Sequence, residues 1–325
     1  MRGVLGLLIA FALIPAVCCA QTSGKGDLAP STPLEVYQNA KRAMVEGRAA
    51  TGFELLEVAA RRGALGAQIE VARMSAKGKG APLDEAKAFY FYRRIANDYA
   101  DIDRRHSLAQ FIAEAFRMSG TYLRNGIASA NLKPDLGEAS RLMLQAAGYF
   151  HEREAQYELA TMYLNGEGVE RNPRIAVGWL VNSARKRYAP AQAMLGDMMW
   201  RGKDVKRAPL EGLALLALAV DNALEHERPL VTPYYENAVA EADIETIRKT
   251  EEALKTLYHS LRLRSDGPPL KIEYPDGVAP KPEKGINMVI KDEGASTMTS
   301  ETAPGQSAPV PPGGRGFGFS GSPGQ

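Results

Sequence analysis

Ala155-Gln156-Tyr157-Glu158-Leu159-Ala160-Thr161-Met162-Tyr163-Leu164-Asn165-Gly166 carries the pattern that decides the fold of this 325-residue chain. A small residue, Ala155, is followed by a large apolar one, Leu159, and a second small one, Ala160; Tyr163 comes three positions later and Gly166 closes the run. The same landmarks return upstream as Ala67, Val71, Ala72, Ser75 and Gly78, and as Glu114, Met118, Ser119, Tyr122 and Asn125 with Gly126 behind it. Downstream they return as Ala191, Leu195, Gly196, Met199 and Gly202. The copies start 47, 41 and 36 residues apart, a period that two helices and two turns fill. Such a chain is a solenoid of helical hairpins.

The landmarks have physical roles. Leu159 and Tyr163 lie four apart and share one helical face. The small residues beside them admit a neighbouring helix at close range. Gly166 and Gly168 end the helix, because glycine accepts the left-handed conformation of a C-terminal cap. Asn172-Pro173 opens the partner helix, which carries Ala176, Trp179, Leu180 and Ala184. Equivalent partners are predicted over 84–96, 135–147 and 207–219. No hairpin buries its apolar face alone, so the copies stack.

Outward from the repeats, a further hairpin is predicted over 33–62, with insertions at 97–105 and 127–134. Pro229 and Pro233 interrupt the helical pattern, and 234–264 reads as one or two long helices with charged faces that cap the last repeat. From Ser265 the chain is rich in Pro, Gly, Ser and Thr, too poor in large apolar groups to offset the entropy of ordering. At the other end, Arg2 precedes an apolar run over 4–17 and then small residues, the form of an export signal cleaved after Ala20. The chain thus divides into a signal peptide (1–20), a linker (21–32), the solenoid (33–222), capping helices (223–264) and a disordered tail (265–325). Both cysteines, Cys18 and Cys19, fall inside the signal. A mature chain starting at Gln21 has no thiol, which excludes disulfides, zinc thiolates and cysteine catalysis. It carries 39 basic and 38 acidic residues, a balance that gives no electrostatic case for nucleic acid or a membrane surface.

No chemistry-bearing motif is complete. Asn165-Gly166-Glu167-Gly168 follows a helix rather than a strand and lacks the Lys-Ser or Lys-Thr of a phosphate loop. His151-Glu152 begins a zinc-protease motif whose second histidine is replaced by Ala155. Asp98, Asp101 and Asp103 lack the glycine bend and closing glutamate of a calcium loop. His106, His151, His226 and His259 are scattered, and the Arg-Gly stretch of the tail holds a single arginine, Arg315. The expectation is a non-enzyme with no cofactor and no catalytic or metal-binding residues.

Residues 154–169 and 189–199 closely resemble the Sel-one-like repeat, a relative of the tetratricopeptide repeat. The first two copies are degenerate, with Ser75 in place of the usual Tyr and long inserted loops. This implies an all-α fold: a superhelical solenoid of antiparallel helix hairpins with a C-terminal capping helix. A narrower resemblance, over about 33–221, rests on the export signal, residues 95–101, residues 127–135 and residues 213–221. There the chain is similar to the exopolysaccharide production negative regulator family of alphaproteobacteria. That resemblance implies a periplasmic protein that binds the sensor domain of an envelope histidine kinase, holds it inactive and is proteolysed under acid stress. A periplasmic scaffold for cell-envelope enzymes is the alternative. Hydrolase activity, attributed to some exported repeat proteins, is disfavoured because those depend on disulfides.

In tetratricopeptide-like hairpins the first helix of each repeat lines the concave face. Transferred to this chain, that geometry places Ile69, Arg73 and Lys77 inward in the first copy, and Phe116, Leu123 and Arg124 in the second. Tyr157, Thr161, Leu164 and Asn165 follow in the third, and Asp197, Trp200 and Arg201 in the fourth. Aromatic groups and arginines of this kind are what binding hot spots favour. Arg73, Arg124 and Arg201 have the least reason to be buried, so their joint replacement by Glu is expected to abolish binding and leave the melting temperature nearly unchanged.

Overall fold

The computed structural model describes residues 32–262 and 272–277. The signal peptide and nearly all of the linker lie outside the described residues, as does most of the tail. Among the described residues there are twelve α-helices and no strand beyond a single bridge between Ile127 and Leu132. They pair as hairpins in chain order: α1 (Pro33–Val45) with α2 (Ala49–Arg61), α3 (Leu65–Lys77) with α4 (Glu85–Asp98), and α5 (Ala109–Asn125) with α6 (Leu136–Leu144). α7 (Arg153–Asn165) pairs with α8 (Pro173–Arg185), and α9 (Ala189–Arg201) with α10 (Pro209–Asn222). α11 (Arg228–Glu241) packs on α9 and α10, and α12 (Ile244–Arg262) on α10. The last two helices barely touch each other and instead each pack on the final hairpin, closing its open end.

The landmark helices are α3, α5, α7 and α9. Each stops where its glycine stands: Gly78, Gly126, Gly166 and Gly202 are the C-caps, all at positive φ. The partner helices open on Asp84, Asp135 and Asn172, whose side chains accept the N–H of Lys87, Glu138 and Ile175. Val71, Leu159 and Leu195 are fully buried, as are Ala72, Ser119, Ala160 and Gly196 beside the large apolar landmarks. The reason for the small residues shows at α9–α10. A Cβ on Gly212 would lie 2.7 Å from the Trp200 nitrogen, and one on Gly196 3.0 Å from the Gly212 carbonyl. The two backbones meet there.

A residue next to the first landmark ties the repeats together. Gln68, Gln156 and Gln192 are buried at equivalent positions, and each donates Nε2 to a carbonyl at the end of the preceding partner helix. The acceptors are Ala60 at 3.2 Å, Ala147 at 3.1 Å and Ala184 at 3.0 Å. Ala60 and Ala184 stand in the last turns of α2 and α8, where their carbonyls also accept the N–H of Gly63 at 3.0 Å and of Arg187 at 2.9 Å, and Ala147 stands in the π-helical turn 145–149 that continues α6. The second copy has Ala115 here, and its junction is instead the ten-residue connection 99–108. Replacing Gln156 with Ala removes the donor and leaves a void between repeats. The expected loss is about 1–3 kcal/mol, read as a lower denaturant midpoint at unchanged slope.

Two expectations are corrected. Pro229 and Pro233 do not interrupt helix: α11 begins at Arg228 and contains both. Pro229 sits where a helix has no use for an N–H, and Pro233 forfeits one bond a turn further in. Val231 and Ala238 meanwhile bury α11 against Trp200, Leu213 and Leu216. Residues 272–277, inside the stretch read as disordered, have a defined place on the solenoid; Tyr274 is buried among core side chains. The turn chemistry of Tyr274-Pro275-Asp276-Gly277 and one large aromatic anchor outweigh the polar composition around them. The insertion 127–134 is likewise ordered by a short 3₁₀ turn, Ala128–Ala130, with Ile127 buried beneath it.

Candidate protein-interaction face

The landmark helices present a row of arginines, and carboxylates on or beside the next landmark helix hold Arg73, Arg117 and Arg124. Arg73 on α3 donates Nε to Glu114 on α5 at 2.9 Å, and its guanidinium stands 5.1 Å from the Phe111 ring centre. The Tyr92 hydroxyl reaches the same carboxylate at 3.2 Å. Arg117 on α5 bonds Glu152 at 2.9 Å and Glu158 on α7 at 3.4 Å, and Thr121 adds a bond to Glu158 at 2.8 Å. Arg124 bonds Glu167 at 2.5 Å and Thr161 at 3.1 Å, while Asn165 donates to the other oxygen of Glu167 at 2.8 Å. On α9, Arg201 pairs with Asp197 at 2.7 Å and lies 3.6 Å from Glu241 of α11. The first hairpin joins the same series through Tyr37 and Lys41, which both bond Glu70.

The residues expected to face inward therefore divide. Lys77, Asn165 and Arg201 are exposed. Arg73, Arg124, Tyr157, Thr161, Leu164 and Asp197 are half-buried. Ile69, Phe116, Leu123 and Trp200 are buried, so they are packing rather than free surface. Phe116 stacks at 5.7 Å on Phe150, and Trp200 lies under α11, where its Nε1 donates to Glu241 at 3.0 Å. α11 lies across both α9 and α10 of the last hairpin, a contact that the repeat pattern does not specify. Tyr157 meets Tyr188 edge-on at 5.5 Å, and burial pushes its hydroxyl pKa up to about 12. The expectation that three Arg→Glu changes leave stability untouched is also corrected. At 73 and 124 the new carboxylate would face Glu114 and Glu167, the acids that now hold the arginines. Arg201→Gln, which removes an exposed arginine without placing a new carboxylate against an acid, is the change that tests binding at less cost.

Two hollows lie on this face. The larger, about 440 Å³, is lined by Arg73, Arg104, Phe111, Glu114, Arg117, Phe150, Glu152 and Glu154. The smaller, about 230 Å³, brings Leu164, Asn165 and Asp197 together with Tyr234. Sequence reasoning missed Glu114, Arg117 and Glu152. One signal was present: Glu114 is the acidic occupant of a landmark that is alanine in the other three copies. Burial pushes the Glu114 carboxyl up, but the Arg73 hydrogen bond and charge outweigh it, and the pKa falls below the usual carboxylate range. Among the described residues no group of three His, Cys, Asp or Glu side chains is placed to hold a metal ion. No helix among them is long and apolar enough to cross a membrane.

Glu152 is the unusual acid of the site. It caps α7 by accepting the Ala155 N–H at 3.2 Å, and burial pushes its pKa up to about 7 against the pull of Arg117. Burial also pushes the Lys186 ammonium down, to about 8, so that group stays charged through neutral pH. A carboxyl whose folded pKa is raised contributes stability in full below its unfolded value near 4.5, and loses it as pH rises through 7. Between pH 5 and 7.5 the wild type is expected to lose about 2 kcal/mol that Glu152→Gln does not lose. Paired thermal melts across that window read the difference. Equal pH slopes in the two proteins would show that Glu152 does not titrate there.

The Sel1 repeat family model matches residues 66–98, 153–188 and 189–223, which are the first, third and fourth copies. The degenerate second copy is passed over. The chain is 31% identical over 265 residues to an exopolysaccharide production negative regulator of Rhizobium leguminosarum bv. viciae, covering 81% of this chain and 95% of that one. It is 29% identical over 215 residues to the protein of the same description from Rhizobium meliloti (strain 1021), covering 66% of this chain and 78% of that one. Among solved structures it resembles a protective antigen of uropathogenic Escherichia coli that displays an SLR fold. The TM-score is 0.54 at 18% identity, over 71% of this chain and 46% of the antigen, a likeness of fold alone.

Proposed function

Since the chain belongs to the family of the exopolysaccharide production negative regulators, we propose that it is a regulatory repeat protein that represses exopolysaccharide production by binding a protein partner. The observation that carries this reading is the relationship itself, which runs through 95% of the Rhizobium leguminosarum protein. The absence of a complete catalytic motif and the row of arginines on the landmark helices support a binding role over a chemical one. The finer reading is that the chain is exported, loses its signal after Ala20, and holds the periplasmic sensor domain of an envelope histidine kinase inactive. The landmark-helix face, from Arg73 through Asn165 to Arg201, is the surface it uses. Hollows rimmed by arginine, aromatic and carboxylate groups suit the desolvated anchors of a partner.

Affinity capture of the full chain, expressed with its signal and tagged at the C-terminus, tests the reading. A sensor kinase is expected to co-purify from inner membrane, and loss of the gene is expected to raise exopolysaccharide output. Capture of cell-envelope enzymes with no kinase would replace this reading with the scaffold one.

A further inference from the structure

Residues 272–277 lie against the start of α8 and the connection between α9 and α10, meeting Arg174 and Lys206 rather than the arginines of the landmark helices. Tyr274 is buried, with the Arg174 guanidinium 5.6 Å from its ring centre. The Glu273 carbonyl accepts the backbone N–H of Lys206 at 2.8 Å, and the Glu273 carboxylate takes the Lys206 ammonium at 2.6 Å. Asp276 pairs with Arg174. The segment closes on itself as a turn: Gly277 donates its N–H to the Tyr274 carbonyl at 3.0 Å, with Pro275 second and Gly277, at φ +69°, last. One aromatic anchor, one backbone bond and two charge pairs are the means by which folded domains hold short linear segments.

The receiving residues belong to consecutive repeats: Arg174 lies in the first turn of α8, and Lys206 in the connection between α9 and α10. The Lys206–Glu273 pair is largely in water, each side chain about two-thirds exposed, and the Arg174–Asp276 pair is one-third to one-half exposed; pairs with this much access to water hold weakly. The grip therefore rests on the buried ring and a single backbone bond. We propose that this groove is a docking site for short acidic segments built around a tyrosine. Residues 272–277 are its ligand in cis, and their hold is reversible. The site is separate from the landmark-helix face and stands whether or not that face binds a kinase.

The Lys206 amide reports on the groove directly, because Glu273 is its acceptor. Hydrogen exchange on the full chain is expected to show that amide protected. In Tyr274→Ala it should exchange about ten-fold faster or more, as local opening becomes cheap. Adding a synthetic peptide of residues 270–279 at millimolar concentration, the effective level a short tether provides, should restore protection in Tyr274→Ala. It should not do so in the Tyr274→Ala, Arg174→Glu double variant. Unchanged Lys206 exchange in Tyr274→Ala overturns the proposal, and so does a peptide that fails to restore protection. If Tyr274→Ala also deprotects α9 and α10, Glu273→Lys with Asp276→Lys opens the groove from the ligand side without removing the ring, and is read by the same amide.

Discussion

Gly168→Ala is expected to unfold the middle of the solenoid at temperatures the wild type tolerates. Gly168 lies three residues past the end of α7 at φ +68°, and a Cβ there would stand 1.9 Å from the Leu136 carbonyl oxygen at the start of α6. Neither atom is the end of a flexible side chain. The connection cannot lift away cheaply, because Ser140 on α6 bonds the Gly168 carbonyl at 3.2 Å. Backbone strain of about 1 kcal/mol adds to the cost of forcing two repeats apart. The expected total is about 4 kcal/mol, or a melting temperature lower by roughly 10 °C. Gly63→Ala makes the comparison: it too sits at positive φ, +94°, but nothing stands within 4 Å of its Cβ position. Its cost should be that of the backbone alone.

Arg117→Ala is expected to cost about 3–5 kcal/mol at pH 7.5, because it strands acids that have little access to water. The guanidinium lies between Glu152 and Glu158, and all three side chains are about one-fifth exposed or less. Removing it also takes away the contact of its Nη1 with the Met118 sulfur at 3.3 Å. The loss should shrink toward pH 5, where Glu152 takes up a proton and no longer needs the charge. Denaturant melts at the two pH values measure this. A pH-independent loss would assign the effect to packing instead.

Most of the fold was legible because its rules are local. The four landmark glycines end four helices, and Asp84, Asp135 and Asn172 open three. Each is a statement about one backbone position and its immediate neighbours. The turn at 274–277 obeyed the same chemistry, yet a composition average over the surrounding stretch hid it. The candidate face was less legible. A helical projection decides which residues share a side, but not which neighbour a side chain meets. So Arg73 and Arg124 were placed on the right helices while Glu114 and Glu167, which hold them, went unseen. Trp200 projects from α9 as expected and is covered by α11, whose path no periodicity in the repeats specifies. The buried glutamines were missed for a different reason. Gln68, Gln156 and Gln192 recur in register, but a polar residue beside an apolar landmark reads as surface until its acceptor carbonyl is known.

The landmark-helix face as the partner surface is tested most directly by site-specific photo-crosslinking in living cells. A photoreactive residue is placed singly at Lys77 or Asn165, exposed ends of two landmark helices, and at Tyr90, exposed on the partner helix α4. The predicted result is a crosslinked species containing a histidine-kinase sensor domain from positions 77 and 165 and none from position 90. Crosslinks to such a domain from position 90 alone, or no kinase at any position in cells where exopolysaccharide production is repressed, would contradict it.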